Sequence, residues 1–504
     1  MELLSSAQIK EWDAFTCSRQ GISSLELMER AATACLDWLE LHGYLPRELF
    51  IFCGKGNNGG DGLALARLLK EKGAAGVGVF ILETPAKPSA DFSANLQRLQ
   101  QTGVPVQYIR DANGLPTLEK SGVLIDALFG SGLNRPLEGW AAELTAWING
   151  LGMETIAIDL PSGMFADKSS IGHPVVRARH TVSFQIPKLA FLVAENEPLT
   201  GSVHILDIGL DAGFLETVYS PFETVHAAII RLLYKPRKAF SHKGSFGHAL
   251  LIAGSYGKIG AAVLSAKACL RSGVGLLSCY IPRCGYPILQ TAVPEAMTYT
   301  DENREFTTAI KTDLTKFGAL GIGPGLGTEE ATAKALLDVL STYKKPLVLD
   351  ADALNIIARQ PDGLASLPPF SILTPHPKEF ERLFGASSND FEKLELAVRK
   401  AKDLSVIIVL KGHHTFIAMP GGKGYFNTTG NAGMATGGSG DVLTGFLTGL
   451  LAQNYTPATA ALLGVYLHGL AGDKAASIHS QEAMVAQDII EGIGPAFQEI
   501  GAGK

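Results

Sequence analysis

The chain has 504 residues, more than one hydrophobic core comfortably serves, so two or three domains are expected. With 18% charged residues, 8% aromatics and 56 glycines it has the profile of a glycine-rich α/β protein, which excludes a disordered or fibrous chain. A net charge of −6 without a basic block argues against a nucleic-acid partner.

No apolar run nears the ~20 residues that span a bilayer, and the first ten residues lack signal-peptide character, so no membrane partner and a cytoplasmic location are expected. Six cysteines without a CxxC pair fit reduced core thiols better than disulfides or a zinc site.

In chain order, residues 5–42 predict two helices, the second with apolar positions at helical spacing from Ser24 to Leu36. A strand, Leu49 to Cys53, leads into Gly54-Lys-Gly-Asn-Asn-Gly-Gly-Asp61-Gly, a helix from Leu63 and another strand, Gly76 to Leu82. That is a βαβ unit, and it predicts a parallel sheet. Gly54, Gly56 and Gly59 spell GxGxxG, but Asn57, Asn58 and Asp61 are more polar than a bare pyrophosphate turn requires.

Two later strands also end in polar loops: Val123-Leu-Ile-Asp126 before Ala127 to Pro136, and Ile156-Ala-Ile-Asp159 before Leu-Pro-Ser162-Gly. In an open parallel sheet such loops converge beyond the carboxyl ends of the strands. Asn58, Asp126 and Ser162 then offer oxygens to a hard cation of low charge, Asp159 is a candidate acid/base, and residues 130–136 form a second anion cradle. Lys188 reads as a solvated surface lysine. Strands around Thr181 and Val203 close this sheet, and the tract from Asp211 to Phe222 marks a boundary between domains 1–220 and 221–504.

The second half repeats the pattern. Strands beginning near Ala249, Ala319, Pro346, Ser371 and Val406 run into loops carrying Gly254, Gly323 to Gly327, Asp350 and Asp352, His376, and Lys411. The stretch Asn431-Ala-Gly-Met-Ala-Thr-Gly-Gly-Ser-Gly-Asp441 then precedes an apolar helix. Glycines, free N–H groups and the positive end of a helix dipole make a phosphate seat. A carboxylate there suits a general base better than an anion site, although a plain N-cap is the bland alternative. Lys411 suits a charge on phosphate, and the set fits nucleotide-dependent phosphoryl transfer without a Walker loop.

Taken together, Gly56-Asn-Asn-Gly-Gly-Asp-Gly62, Asp126-Ala-Leu-Phe-Gly-Ser-Gly, Asp159-Leu-Pro-Ser-Gly163, His242-Lys-Gly, Gly323-Pro-Gly-Leu-Gly, Asp350-Ala-Asp-Ala-Leu-Asn, Thr374-Pro-His-Pro and Asn431 to Asp441 resemble, in order, the bifunctional NAD(P)H-hydrate repair enzymes. The resemblance implies two doubly wound α/β domains: a Rossmann-like three-layer epimerase (1–220) and a ribokinase-like dehydratase (221–504). The substrates would be the hydrates of NADH and NADPH (NADHX and NADPHX), and ADP would become AMP.

It further implies that Asn57, Asn58, Gly59, Gly60, Asp61, Gly130, Ser131, Gly132, Leu133, Asn134, Arg135, Pro136 and Asp159 bind the hydrate in the first domain. K+ would sit at Asn58, Asp126 and Ser162. In the second domain Ala261, Gly325, His376 and Asp441 would line the hydrate. Lys411, Gly412, His413, His414, Thr415 and Gly440 would hold ADP or ATP with Mg2+. Asp159 and Asp441 are the catalytic candidates. A homo-oligomer is expected, with the apolar stretch from Ala458 to Gly472 able to serve an interface or a core. The competing reading is a vitamin or sugar kinase fused to a Rossmann-like binding domain.

Overall fold

The computed structural model describes residues 2–360 and 362–502. Two compact units emerge, Glu2–Ser220 with Asn389–Phe391, and Pro221–Ser388 with Glu392–Lys504.

The first unit is built on seven parallel strands: β1 (Glu48–Cys53), β2 (Gly76–Leu82), β3 (Val106–Ile109), β4 (Val123–Ala127), β5 (Glu154–Ile158), β6 (His180–Phe184) and β7 (Ser202–Leu206). Their order is β3-β2-β1-β4-β5-β6-β7. Residues alternate across a strand, so Ile51 and Cys53 join the core under helices Ser24–Leu41, Asn57–Lys72 and Ala90–Gln100. Phe50 and Phe52 pack on the other face with Trp147 and Ile148 of helix Gly139–Gly150. Helices therefore cover both faces, as the near-continuous apolar runs require. The strand order reverses between β1 and β4, where a doubly wound sheet leaves its ligand crevice.

The Asn57–Lys72 helix starts earlier than the Leu63 that the sequence predicts, because the glycines serve packing rather than a long loop. A Cβ on Gly59 would lie 1.7 Å from the Gly54 carbonyl oxygen, and one on Gly62 would lie 2.7 Å from Ala127 Cβ. Only without those atoms can the first turns settle against the ends of β1 and β4.

The second unit has ten strands: β8 (Phe222–Val225), β9 (His248–Ile252), β10 (Leu276–Ile281), β11 (Met297–Thr300), β12 (Ala319–Ile322), β13 (Val348–Leu349), β14 (Ile372–Leu373), β15 (Ile407–Leu410), β16 (Phe416–Ala418) and β17 (Gly424–Asn427). The order is β11-β10-β9-β12-β13-β14-β15-β16-β17-β8. Pairing is parallel from β11 to β15, and an antiparallel hairpin, β16–β17, extends the edge. The five strands expected from sequence are β9 and β12 to β15; the structure adds β10, a buried apolar strand of six residues, and the short strands β8, β11, β16 and β17.

Helix Ser439–Ala452 is buried from Val442 to Ala452 and runs along helix Ile259–Arg271. A Cβ at Gly445 would fall 2.0 Å from the Ser265 carbonyl oxygen, so glycine permits the close approach. Burial of each large apolar side chain on this helix contributes roughly 1.5–3 kcal/mol. The Pro457–Ala483 helix buries Ala460 to Gly472, which makes all but the first two residues of the stretch 458–472 part of this core.

Candidate active sites

In the first unit the loops after β1, β4, β5 and β6 open on a cavity of about 820 Å³. Asp159 sits at the end of β5 with φ 68°, a left-handed backbone that Asp tolerates better than most residues. Its Oδ1 is 2.8 Å from Lys188 Nζ, and its Oδ2 accepts the Ser131 N–H at 2.8 Å. Burial pushes the Asp159 pKa up, but the Lys188 ammonium and the Ser131 donors outweigh it and hold the group below the ordinary carboxylate value. Asp159 is therefore an anion whose two oxygens are both engaged. A carboxylate held below its ordinary pKa is a weaker base than a free one, which argues against the proton-exchanging role expected of it.

Lys188 corrects the sequence reading outright. It is 1% exposed and donates to Ser183 Oγ at 2.6 Å as well as pairing with Asp159. Asp126 is fully buried, accepting from the Ser162 N–H (2.7 Å), Ser162 Oγ (2.6 Å) and Leu128 N–H (3.2 Å). Burial outweighs those bonds and raises its pKa to about 6. Asn58 is 8% exposed, yet its amide oxygen and nitrogen have no protein partner. Gly130 lies between these groups: a Cβ there would stand 2.7 Å from Asp159 Oδ2 and 3.2 Å from Asn58 Cγ.

Asn57, Asn58, Asp61, Gly130, Ser131, Gly132, Leu133 and Asp159 all line the cavity. Gly59 and Gly60 do not; they face Gly54 and Met28. Asn134, Arg135 and Pro136 lie outside the lining as well, and the Asn134 carbonyl accepts from Lys168. Asp13, on helix Ser6–Gln20, lines the cavity and went unnoticed in the sequence. Burial and the Asp159 charge raise its pKa to about 6 against the pull of Lys188. Asp61 is raised well above its ordinary value, chiefly by burial and then by Asp159.

In the second unit the loops after β9, β12, β13, β14 and β15 share one sheet edge. The Gly254 N–H donates to the Pro324 carbonyl and Ser255 Oγ to the Gly325 carbonyl at 2.8 Å. Ala261 and Gly325 meet: a Cβ on Gly325 would lie 3.1 Å from Ala261 Cβ. Lys411 Nζ pairs with Asp350 Oδ1 at 2.7 Å, and Asp350 Oδ2 accepts from Thr444 Oγ1 at 2.8 Å. Burial opposes the Lys411 charge, but Asp350 and then Glu379 more than restore it, so its pKa rises.

The glycine helix begins after Gly438, whose φ is 93°. A Cβ on Gly440 would be 3.5 Å from Lys411 Nζ, so the lysine ammonium stands over the helix start. Among the described residues Asp441 has no ion-pair partner, and its pKa rises to about 6 through burial and the Asp350 charge, partly countered by Lys411. Its helix turn is fixed by Ser265 Oγ donating to the Asp441 carbonyl (2.9 Å) and His468 Nε2 to the Ser439 carbonyl (3.1 Å). Burial holds His468 near pKa 4, so the ring is neutral.

His376 caps helix Pro377–Phe384 through Nδ1, accepting the Lys378 N–H at 3.1 Å, and its Nε2 is 3.3 Å from Glu379 Oε1. Glu379 in turn reaches to 3.9 Å from Lys411. Gly412, His413, His414 and Thr415 form the turn between β15 and β16. Burial lowers the His414 pKa to about 4. Glu379 and Thr444 complete this network without having been singled out. Glu379 carried a visible signal, three residues after the capping His376; Thr444, inside an apolar helix, carried none.

Among the described residues no helix is long and apolar enough to cross a membrane, and no group of three or more His, Cys, Asp or Glu side chains is placed to hold a metal ion. Two parallel α/β domains, one around a buried lysine–aspartate pair and the other around a glycine-seated carboxylate, define a two-site enzyme. The family described as NAD(P)H-hydrate dehydratase matches residues 249–495, and that described as YjeF-related protein N-terminus matches residues 24–190. The bifunctional NAD(P)H-hydrate repair enzyme Nnr of Moorella thermoacetica is 38% identical over 97% of this chain and 96% of its own length. Its Escherichia coli counterpart is 33% identical over 93% and 88%.

A ribokinase-like superfamily protein from Enterococcus faecalis, 30% identical, superposes on 56% of this chain and 98% of its own with a TM-score of 0.50. The chain belongs to the bifunctional NAD(P)H-hydrate repair enzymes, with an epimerase domain followed by a dehydratase domain of ribokinase-like fold.

Proposed function

We propose that the second domain dehydrates the S hydrate of NADH or NADPH by phosphorylating its hydroxyl, with Asp441 as general base. The observation that carries this reading is the lone Asp441 carboxylate at the start of a buried helix, beside the Lys411 ammonium. Asp441 takes the hydroxyl proton as the oxygen bonds to the terminal phosphorus of ADP, and the bond to the AMP oxygen breaks. Lys411 and the N–H groups near Gly440 bear the charge that develops on the phosphoryl oxygens. Phosphate then leaves the ring carbon, pushed by the lone pair of the ring nitrogen, and loss of a proton from the adjacent carbon restores the dihydronicotinamide. Ala261, Gly325 and His376 orient the hydrate, and residues 411–415 hold the nucleotide.

Asp350 and Glu379 are the carboxylates that suit Mg2+, which takes one or two such groups together with substrate phosphates. When bound, Mg2+ neutralises phosphate charge.

The first domain interconverts the R and S hydrates, which lets both epimers reach a dehydratase that accepts one. Asn57, Asn58, Asp61, residues 130–133 and Asp159 hold the hydrate. Asn58, Asp126 and Ser162 fit K+, and the unpartnered Asn58 amide oxygen is the observation in favour. K+ bound there would fix the loops after β1, β4 and β5 around the substrate.

The test is to supply ADP with a mixture of epimers and follow recovery of dihydronicotinamide absorbance. Wild type consumes both epimers and releases AMP and free phosphate. A stable phosphorylated product would favour the kinase reading instead. Consumption of S alone, with R lost only at its spontaneous rate, would remove the epimerase assignment.

A further inference from the structure

We propose that Asp13, on the first helix, is the catalytic acid/base of the epimerase domain, passing a proton to and from the hydrate's hydroxyl while Asp159 remains a fixed anion.

Helix Ser6–Gln20 presents Ser6, Ile9, Asp13 and Cys17 to the cavity at the three- and four-residue spacing of one helical face. The helix is held firmly in place. Trp12 stacks on Phe214 and donates Nε1–H to the Asp211 carbonyl at 2.7 Å, while the Asp211 N–H donates to Thr16 Oγ1 at 3.0 Å. The residue beside Trp12 is thereby held at the cavity wall. Among the described residues the Asp13 carboxyl makes no hydrogen bond or ion pair, so its oxygens are free for a ligand. The buried, unpartnered Asn58 amide lines the same cavity and marks it independently as a place where a polar ligand belongs. Asp13 lies ahead of the matched family segment, residues 24–190.

The charged surroundings favour a proton carrier. Asp159 and Lys188 face Asp13 from the ends of β5 and β6. Asp61, its pKa raised by burial and then by Asp159, adds a carboxyl from its own helix. Lys10 and Cys17 share the helix of Asp13; Lys55, paired with Glu83, lies on the β1 loop, and Lys87 and Asp91 lie beyond β2. Burial and the Asp159 anion raise the Asp13 pKa to about 6, whereas burial pushes Asp61 well above its ordinary value and Lys188 holds Asp159 below its own. Two carboxyls pushed apart in this way divide acid from charge stabiliser.

The step balances. Asp13 donates its proton to the hydroxyl oxygen, the carbon–oxygen bond breaks to release water, and the ring nitrogen's lone pair forms a carbon–nitrogen double bond. The resulting cation is stabilised by the Asp159 carboxylate. Water adds to the opposite face, the double-bond electrons return to nitrogen, and the surplus proton goes back to Asp13.

This inference rests on the epimerase reading, so wild type is measured first. In an Asp441→Ala background, which stops consumption of the hydrate, R and S are resolved chromatographically in water enriched in oxygen-18. Wild type at Asp13 should interconvert them with uptake of solvent oxygen, faster below pH 6 and falling tenfold per pH unit above it. Asp13→Asn should lose about 10²–10⁴-fold in rate with KM changed less than threefold, and Asp13→Glu should recover part of it. Full-rate interconversion by Asp13→Asn, or loss in Asp61→Asn alone, overturns the assignment. So does a flat pH profile in the wild type, which needs no variant to fold. No interconversion by wild type would instead count against the epimerase reading itself.

Discussion

Each domain holds a lysine against a strand-end aspartate, and the two pairs are used in opposite ways. In the first domain Lys188 pairs with the cavity-lining aspartate itself, Asp159. In the second, Lys411 pairs with Asp350, which Thr444 also binds, and among the described residues the working carboxylate, Asp441, is left without a salt bridge. Burial acts on Asp159 and Asp441 alike; the difference is what opposes it. Where a lysine touches the carboxylate, the anion is locked in. Where the lysine is engaged by another acid, the carboxylate keeps a pKa near neutrality, which general-base catalysis needs.

The comparison breaks first at Asp441. Asp441→Ala should cut dehydration by about 10²–10⁴-fold and leave epimerisation unchanged; equal loss of both activities would mean a single shared site. Lys188→Met comes next, because it strands a buried carboxylate. A loss of about 3–5 kcal/mol in the stability of the first domain is expected, read by denaturant unfolding. Adding Asp159→Asn should return part of that loss, and no recovery would show that Lys188 acts by packing alone.

K+ should stabilise the first domain by about 2.7 kcal/mol at a hundredfold excess over Kd, and Asn58→Ala should abolish the shift. An equal shift with Na+, or none with either, removes the proposed ligand set. The finest test is pH. A base must be unprotonated, so dehydration should fall tenfold per unit as pH drops below about 6, the pKa of Asp441. Epimerisation should fall in the other direction, because its acid must be protonated. Parallel profiles would erase the contrast.

Much of this was legible in the sequence because parallel strands buried on both faces read as plain apolar runs, and the sheet brings their terminal loops together. Asp126, Asp159, Lys411 and Asp441 fall where that logic puts them. What escaped depends on packing. Lys188 follows Ile186 and Pro187 in a loop, and nothing in its spacing shows that Asp159 waits beside it in a buried space. Asp13 is one polar residue among several on a helix of weak amphipathicity, and its cavity-facing side emerges only once Trp12 is anchored to Asp211 and Phe214. Gly59 and Gly60 look like ligand cradles, yet they exist so that a helix can start against Gly54 and Met28.

The left-handed backbone at Asp159 narrows what descent can try at this position. A β-branched or bulky replacement would have to absorb φ 68° as well as the loss of charge. Asn and Gly keep the backbone at little cost, but Asn forfeits the ion pair with Lys188 and Gly also forfeits the acceptor for Ser131. Glu keeps the charge but carries it one methylene too far. The mutational neighbourhood of this codon therefore has no neutral step in it, and the fates of Asp159 and Lys188 are tied to each other.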